Sequence, residues 1–79
     1  MTNSKQMDIY NLIGQNIKKY RELRGYTQRS LSEALLLSES FIGKLEARTH
    51  QTISIDTLKL IADFLNVDIR CFFDGIDKK

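Results

Sequence analysis

Proline and tryptophan are absent from the 79-residue sequence, which has one cysteine, one histidine and four glycines. An intramolecular disulfide needs two thiols, so the single Cys71 excludes one. No cysteine lies near His50 in the sequence, which argues against a structural zinc site. A lone histidine and a lone cysteine, without a glycine-rich phosphate loop, form no convergent catalytic set. We therefore expect neither an enzyme nor a protein with a cofactor.

The sequence also lacks a long apolar run and a signal-like N-terminus. Its apolar stretches are far shorter than the roughly 18 residues that a membrane-spanning helix requires. The first residues, MTNSKQMDIYN, do not follow the basic-then-apolar pattern of a signal peptide. We expect one small cytoplasmic domain without membrane association, since a chain of this length supports a single core.

The charge is small in total but unevenly distributed. The net charge is +2, with eight basic and five acidic residues up to Arg48, and four basic and five acidic residues after it. A chance fluctuation on a solvated surface would give the same counts. The distribution therefore matters only if the basic residues share one surface.

Apolar residues recur at intervals of three and four, whereas strand-like alternation never extends beyond a few residues. This pattern predicts an all-α fold with five helices. The first helix spans about Asp8–Arg24 and stops at Gly25, the second ends near Leu35, and the fourth ends at Asn66. The residues predicted to cap the second to fifth helices are Thr27, Ser38, Ser54 and Asp68.

The second and third predicted helices are short and closely spaced. Each has about two turns, which is too short for a stable isolated helix, and a hinge of about three residues at Leu35–Leu37 separates them. So short a hinge forces the two helices to cross, which is the geometry of a helix-turn-helix. Ile42 and Leu45 face inward on the third helix. The residues that then face outward are Glu39, Ser40, Gly43 and Lys44.

Several positions match a known pattern at fixed spacing. The first group is Ile13, Ile17, Arg21, Gly25, Thr27, Gln28, Leu31, Leu37, Ser38, Ile42 and Glu46. The second group is Ser54, Leu58, Ile61, Ala62, Leu65, Val67 and Phe73. In these positions the sequence resembles lambda-repressor-like (Xre-type) helix-turn-helix regulators. The resemblance implies a compact five-helix DNA-binding domain over residues 9–74, with residues 1–8 and 75–79 as short flexible tails.

The resemblance implies that the third helix enters the major groove of double-stranded DNA and that Glu39, Ser40 and Lys44 reach base edges. Lys44 is the strongest candidate, because lysine donates to guanine O6 and N7. Ser38 and Gln28 begin helices whose N-termini suit a phosphate oxygen. Ser38 has the alternative role of a simple helix cap.

Five further residues are expected at or near the DNA backbone: Arg29, Phe41, Arg48, Thr49 and His50. Arg48 is the strongest of those in the loop after the third helix. Phe41 has an alternative, and favoured, role in the core, and His50 could be an ordinary surface histidine.

The resemblance also implies two structural sets. Arg21 and Glu46 match positions that form an ion pair between the first helix and the end of the third. A two-fold dimer interface is expected from apolar residues near the C-terminus, with a wider core contact as the alternative. The interface residues are Leu60, Phe64, Ile69 and Phe72.

Three residues depart from the family pattern. Leu36 stands where a glycine is common, and a leucine is strained there if the backbone is left-handed. Glu39 places a negative charge where basic or amide residues are frequent, which should reduce general DNA affinity. Gly43 replaces a residue with a side chain and would let the backbone approach a base closely.

Together these features predict a homodimeric, sequence-specific transcriptional regulator that acts on a palindromic operator. We expect no small-molecule ligand, because no residues follow the fifth helix to form a ligand domain. The ending Phe72-Phe73 resembles that of controller proteins of restriction-modification systems. The resemblance implies that the protein controls a restriction-modification operon and its own gene. A phage- or plasmid-type repressor or an antitoxin-like autoregulator is the alternative. From another class, Glu39 and the low net charge favour a protein-interaction module that has lost DNA binding.

Overall fold

The computed structural model describes residues 8–75, and it contains α-helices and one 3-10 helix but no strand in that range. The elements are α1 (Ile9–Leu23), α2 (Gln28–Leu35), α3 (Glu39–Glu46), α4 (Ile55–Leu65) and the 3-10 helix (Ile69–Phe73). The all-α prediction is confirmed. Apart from Asp8 and Gly75, the predicted tails lie outside the described residues. Within residues 8–75, no helix is both long enough and apolar enough to cross a membrane.

Each α-helix begins at a polar side chain that accepts a backbone hydrogen bond, as the sequence predicts for three of them. Thr27 Oγ1 accepts from Ser30 N at 2.9 Å, Ser38 Oγ from Phe41 N at 2.9 Å, and Ser54 Oγ from Thr57 N at 3.1 Å. At α1 the cap is Asp8, whose Oδ1 accepts from Tyr10 N at 2.8 Å. These bonds satisfy amide groups that a helix leaves unpaired at its first turn.

The turn between α2 and α3 keeps a left-handed residue although no glycine is present. Leu36 has φ 58° and ψ 37°, and the residue is 93% exposed. The next amide, Leu37 N, donates to Ser32 O at 2.9 Å and so ends α2. A leucine in this conformation costs about 1–2 kcal/mol, which tertiary packing of the two helices must offset.

The predicted fifth α-helix is wrong in type. Ile69–Phe73 forms a 3-10 helix in which Cys71 N donates to Asp68 O at 2.8 Å and Asp74 N donates to Cys71 O at 3.3 Å. Five residues allow few of the longer-range bonds of an α-helix, and short segments accept the tighter turn readily. The predicted cap is present, because Asp68 Oδ1 accepts from Arg70 N at 2.8 Å.

The core lies where α1 crosses α3 and the 3-10 helix, and it is closed by α2 and α4. Its buried side chains come from every element. They are Ile13, Ile17, Leu31, Ile42, Leu45, Leu58, Ile61, Ala62, Leu65 and Phe72. Because α2 and α3 have only two turns each, this shared core, rather than intrinsic helix propensity, holds them in place.

Candidate nucleic-acid interface

The outward face of α3 is not covered by any part of the chain that the structure describes. Ile42 and Leu45 are 0% and 1% exposed, whereas Glu39, Ser40 and Lys44 are exposed. The predicted base-edge residues therefore share one solvent-facing surface with the N-terminus of α3. A carboxylate, a hydroxyl and an ammonium group there offer both acceptors and donors to a partner.

The position of α3 is set by a very close contact with α1. An ideal Cβ at Gly14 would lie 1.8 Å from Leu45 O and 2.7 Å from Leu45 C. Only a residue without a side chain allows this approach. Gly14 was missed by the sequence analysis, although an isolated glycine within a helical pattern is a signal for close packing.

A second set of contacts, here called the Glu46 network, fixes the C-terminal end of α3. Arg21 Nε donates to Glu46 Oε2 and Arg21 Nη2 to Glu46 Oε1, both at 2.8 Å. Gln28 Nε2 donates to Glu46 Oε1 at 3.0 Å, and Gln15 Nε2 donates to Glu46 O at 2.9 Å. The network consists of Gln15, Arg21, Gln28 and Glu46.

The Arg21–Glu46 ion pair that the resemblance implies is present and almost fully buried. The two side chains are 7% and 2% exposed. The hydrogen bond with Glu46 raises the pKa of Arg21 further, so the guanidinium stays charged. Arg21 Nη1 also donates to Tyr26 O at 2.7 Å, which links the pair to the segment before α2.

Two predicted phosphate contacts have partners within the protein. The Gln28 amide turns towards Glu46, so only the backbone of Gln28 marks the start of α2. Arg29 forms an exposed ion pair with Glu33 at 3.1 Å. An exposed pair of this kind contributes only about 0–1 kcal/mol, so Arg29 can exchange Glu33 for another anion at little cost.

The loop after α3 is held to both α3 and α1. Thr49 Oγ1 donates to Lys44 O at 2.9 Å, and His50 N donates to Asn11 Oδ1 at 3.0 Å. Arg48 and His50 have φ values of 60° and 59°, a left-handed conformation that is uncommon for either residue. The loop thus presents Arg48 beside the end of α3 in a defined conformation.

His50 pairs with the start of α1 and is not simply solvated. Its Nδ1 lies within hydrogen-bonding distance of Asp8 Oδ2, and its ring meets the edge of Tyr10 at a centroid distance of 5.3 Å. Burial raises the pKa of Asp8, but hydrogen bonds from His50, Tyr10 N and Asn11 N outweigh it and leave that pKa below its usual value.

Phe41 is half-buried and packs against the core, which is the role that the sequence analysis favoured. Ser38 is exposed and caps α3 through Phe41 N. Both residues therefore have a structural role that does not depend on DNA.

The four predicted interface residues differ in exposure, and one is wrong. Leu60 is 44% exposed on α4, and Ile69 is half-buried. Phe64 is half-buried with its ring 5.0 Å from that of Tyr26. Phe72 is 0% exposed because it fills the centre of the core, so it is not available to a second chain.

Two further polar residues that the sequence did not single out connect distant elements. Asn16 Nδ2 donates to Phe72 O at 2.9 Å and to Asp74 O at 3.0 Å. Arg24 Nε donates to Leu65 O at 2.8 Å at the end of α4. Their partners are backbone carbonyls, which carry no sequence signal.

α2 and α3 have eight residues each, and a short turn joins them. The outward face of α3 is not covered by the described part of the chain. This arrangement defines a helix-turn-helix protein. Comparison with known families agrees, because the family model described as Helix-turn-helix matches residues 17–70. The chain belongs to this family.

The relatives are regulators. The control protein C.SmaI of Serratia marcescens is 30% identical over 63 residues, which cover 80% of this chain and 74% of that protein. The transcriptional regulator SinR of Bacillus subtilis is 30% identical over 63 residues, covering 80% of this chain. The chain spans 57% of the length of SinR.

Solved structures of two such proteins share the fold. SinR in complex with DNA has a TM-score of 0.73 at 31% identity, covering 78% of this chain and 98% of that chain. The restriction-modification controller protein C.AhdI of Aeromonas hydrophila has a TM-score of 0.73 at 25% identity, covering 81% of this chain and 96% of that chain. The similarity thus extends well beyond α2 and α3.

Proposed function

We propose that this protein is a sequence-specific transcriptional regulator that inserts α3 into the major groove of double-stranded DNA. The observation that carries the proposal is the uncovered face of α3, whose position is fixed at Gly14 and at Glu46. A recognition helix must be held rigidly if its side chains are to meet base edges at hydrogen-bonding distance. The proposal includes a cytoplasmic location.

Base readout is assigned to Glu39, Ser40 and Lys44. Lys44 donates to guanine O6 and N7, Ser40 serves a donor or an acceptor, and Glu39 accepts from cytosine N4. Glu39 also repels phosphate, so the non-specific affinity for DNA is reduced. A base pair that offers the Glu39 carboxylate no donor is penalised more strongly. This combination favours selective over non-specific binding.

Backbone contacts are assigned to both helix N-termini and to the loop after α3. Ser38 and the backbone of Gln28 lie at N-termini, where amide groups and the helix dipole favour a phosphate. Arg48 supplies the main charge, with Thr49 and His50 beside it, and Arg29 is released from its exposed pair. Phe41 adds an apolar edge near the backbone while remaining packed on the core.

We further propose a homodimer that joins through the exposed side of α4. Leu60 and Phe64 lie one helical turn apart, and Ile69 adds apolar surface from the 3-10 helix. A two-fold axis would place two copies of α3 about 34 Å apart and require a palindromic operator. The similarity to C.SmaI and C.AhdI supports a controller of a restriction-modification operon and of its own gene.

A binding selection from random duplexes tests the proposal, and the selected duplex then serves in fluorescence anisotropy titrations. Lys44→Ala should relax preference at one base pair by about 1–3 kcal/mol. Arg48→Ala should weaken all sequences alike and lower the salt slope by about 1. Lys59→Ala is the matched control, since it removes the same charge from α4, where Lys59 pairs with Asp63.

Two results would contradict the proposal. Failure to enrich any sequence at low salt would favour a protein-interaction module with the same fold. Enrichment of a sequence whose affinity is unchanged in Lys44→Ala and Arg48→Ala would place the DNA-binding surface elsewhere on the protein.

A further inference from the structure

The described part of the chain contains four glycines, and the fold requires a glycine at three of these positions. At Gly43 it does not. Gly14 is required by the close approach of α1 to Leu45. Gly25 and Gly75 have φ values of 84° and 101°, where a side chain is strained. Gly43 lies inside α3 without positive φ, and an added Cβ would meet only Gln28 Oε1, at an ordinary contact distance of 3.5 Å.

The glycine therefore weakens α3 without helping the fold. A glycine inside a helix is destabilising relative to alanine, because it has more freedom to lose on folding. An alanine would fit here sterically. What favours glycine at this position must lie outside the chain, on the face that α3 presents to solvent.

Gly43 lies on α3 next to the N-terminus of α2, where an added Cβ would be 3.5 Å from Gln28 Oε1. It precedes the exposed Lys44 and is half-buried. The side chain of Gln28 is held beside it by the hydrogen bond of 3.0 Å from Gln28 Nε2 to Glu46 Oε1. Because residue 43 has no side chain, α3 presents only Cα hydrogens at this point, and these are apolar.

We propose that Gly43 is a specificity-determining residue that receives the C5-methyl group of a thymine. The inference rests on the proposed function. The thymine methyl is the apolar feature that base pairs display in the major groove, so it is the natural complement of a position on a recognition helix that presents only Cα hydrogens. A side chain at residue 43 would occupy the volume that the methyl group needs.

The test combines a change in the protein with a change in the DNA. Each thymine of the selected duplex is replaced in turn by uracil, which lacks only the methyl group, and wild type and Gly43→Ala are titrated with every duplex. For wild type, one replacement should weaken binding by about fourfold, the value of one buried methyl group. Gly43→Ala should bind the thymine duplex roughly tenfold or more weakly, because two methyl groups compete for one space.

The decisive result is the behaviour of Gly43→Ala on the uracil duplex. Its affinity should be recovered at the same position where wild type loses affinity. The Tm of Gly43→Ala should rise by about 2–8 °C relative to wild type, because the alanine is tolerated in α3 and the helix gains propensity. Affinity for an unrelated duplex should not change.

Several results would overturn the inference while leaving the proposed function intact. Equal affinities of wild type and Gly43→Ala for the thymine duplex would show that residue 43 lies away from the bases. An equal loss on the thymine and uracil duplexes would show a contact with some group other than the methyl. A lowered Tm would show that the fold itself requires the glycine. If wild type enriches no sequence, the proposed function fails first.

Discussion

Replacing both members of the Arg21–Glu46 pair should be less harmful than replacing either one. Arg21→Met leaves the Glu46 carboxylate, 2% exposed, without its cation. Glu46→Leu leaves the guanidinium, 7% exposed, with only the exposed Glu22 carboxylate at 3.8 Å. Loss of one partner of a buried pair costs about 3–5 kcal/mol. A domain of this size is stable by only about 4–12 kcal/mol, so each single variant should lose much of its stability.

The double variant no longer contains a buried unpaired charge. Its remaining loss comes from the two neutral groups that the pair also bonds, Tyr26 O and the Gln28 amide. Each such group costs about 1 kcal/mol when its bond is removed, which predicts a loss of about 2 kcal/mol for the double variant. It should therefore be more stable than either single variant.

Urea unfolding at pH 7, followed by circular dichroism for the four proteins, measures these differences. Leu23→Ala, on the exposed side of α1, controls for the general effect of shortening a side chain. The reasoning would be refuted if the two losses in free energy of unfolding added in the double variant, or if each single variant were within about 1 kcal/mol of wild type. Either result would mean that the charges are solvated rather than buried.

Three further predictions follow from the fold. Gly14→Ala should lower stability by about 3 kcal/mol, because its methyl group meets the rigid Leu45 carbonyl, and an unchanged Tm would contradict the contact. Leu36→Gly should raise stability by about 0.5–1 kcal/mol in urea unfolding by relieving the left-handed leucine, and a lower urea midpoint would disprove strain there. Arg70 holds the pKa of Asp68 at about 2, below the usual 3.8. The ionised Asp68 carboxylate therefore stabilises the fold fully above about pH 4, and this contribution is lost as the pH falls towards 2. Asp68→Asn should lower stability at neutral pH and flatten this part of the pH profile, whereas an unchanged profile would rule the pair out.

The parts of the fold that depend on local chemistry were predictable from the sequence. A serine or threonine before an apolar periodic run marks a helix start, and Thr27, Ser38 and Ser54 all act as N-caps. Asn66 ends α4 in the left-handed conformation, as expected for asparagine. In each case the bonding partners lie within a few residues, so the pattern is visible in the sequence.

The parts that depend on distant partners were not predictable from periodicity. Phe72 was assigned to a dimer interface from the family resemblance, but the packing of α1 and α4 around it makes it the centre of the core. Gln28 was expected at a phosphate because it begins a helix, but nothing local shows that its side-chain amide binds Glu46, far along the chain. The exposed face of α3 was predictable, since burial of Ile42 and Leu45 fixes the direction of every other residue on that helix.

The most direct test of the central claim is a two-dimensional NMR titration of the protein with the selected duplex. The account predicts that the largest amide shift changes occur at Glu39, Ser40, Gly43 and Lys44 and in the loop of residues 47–52. The exposed residues Asp56, Lys59 and Asp63 on the outer side of α4 should change much less. Shift changes centred on α4, with α3 unaffected, would contradict the claim that α3 reads the DNA.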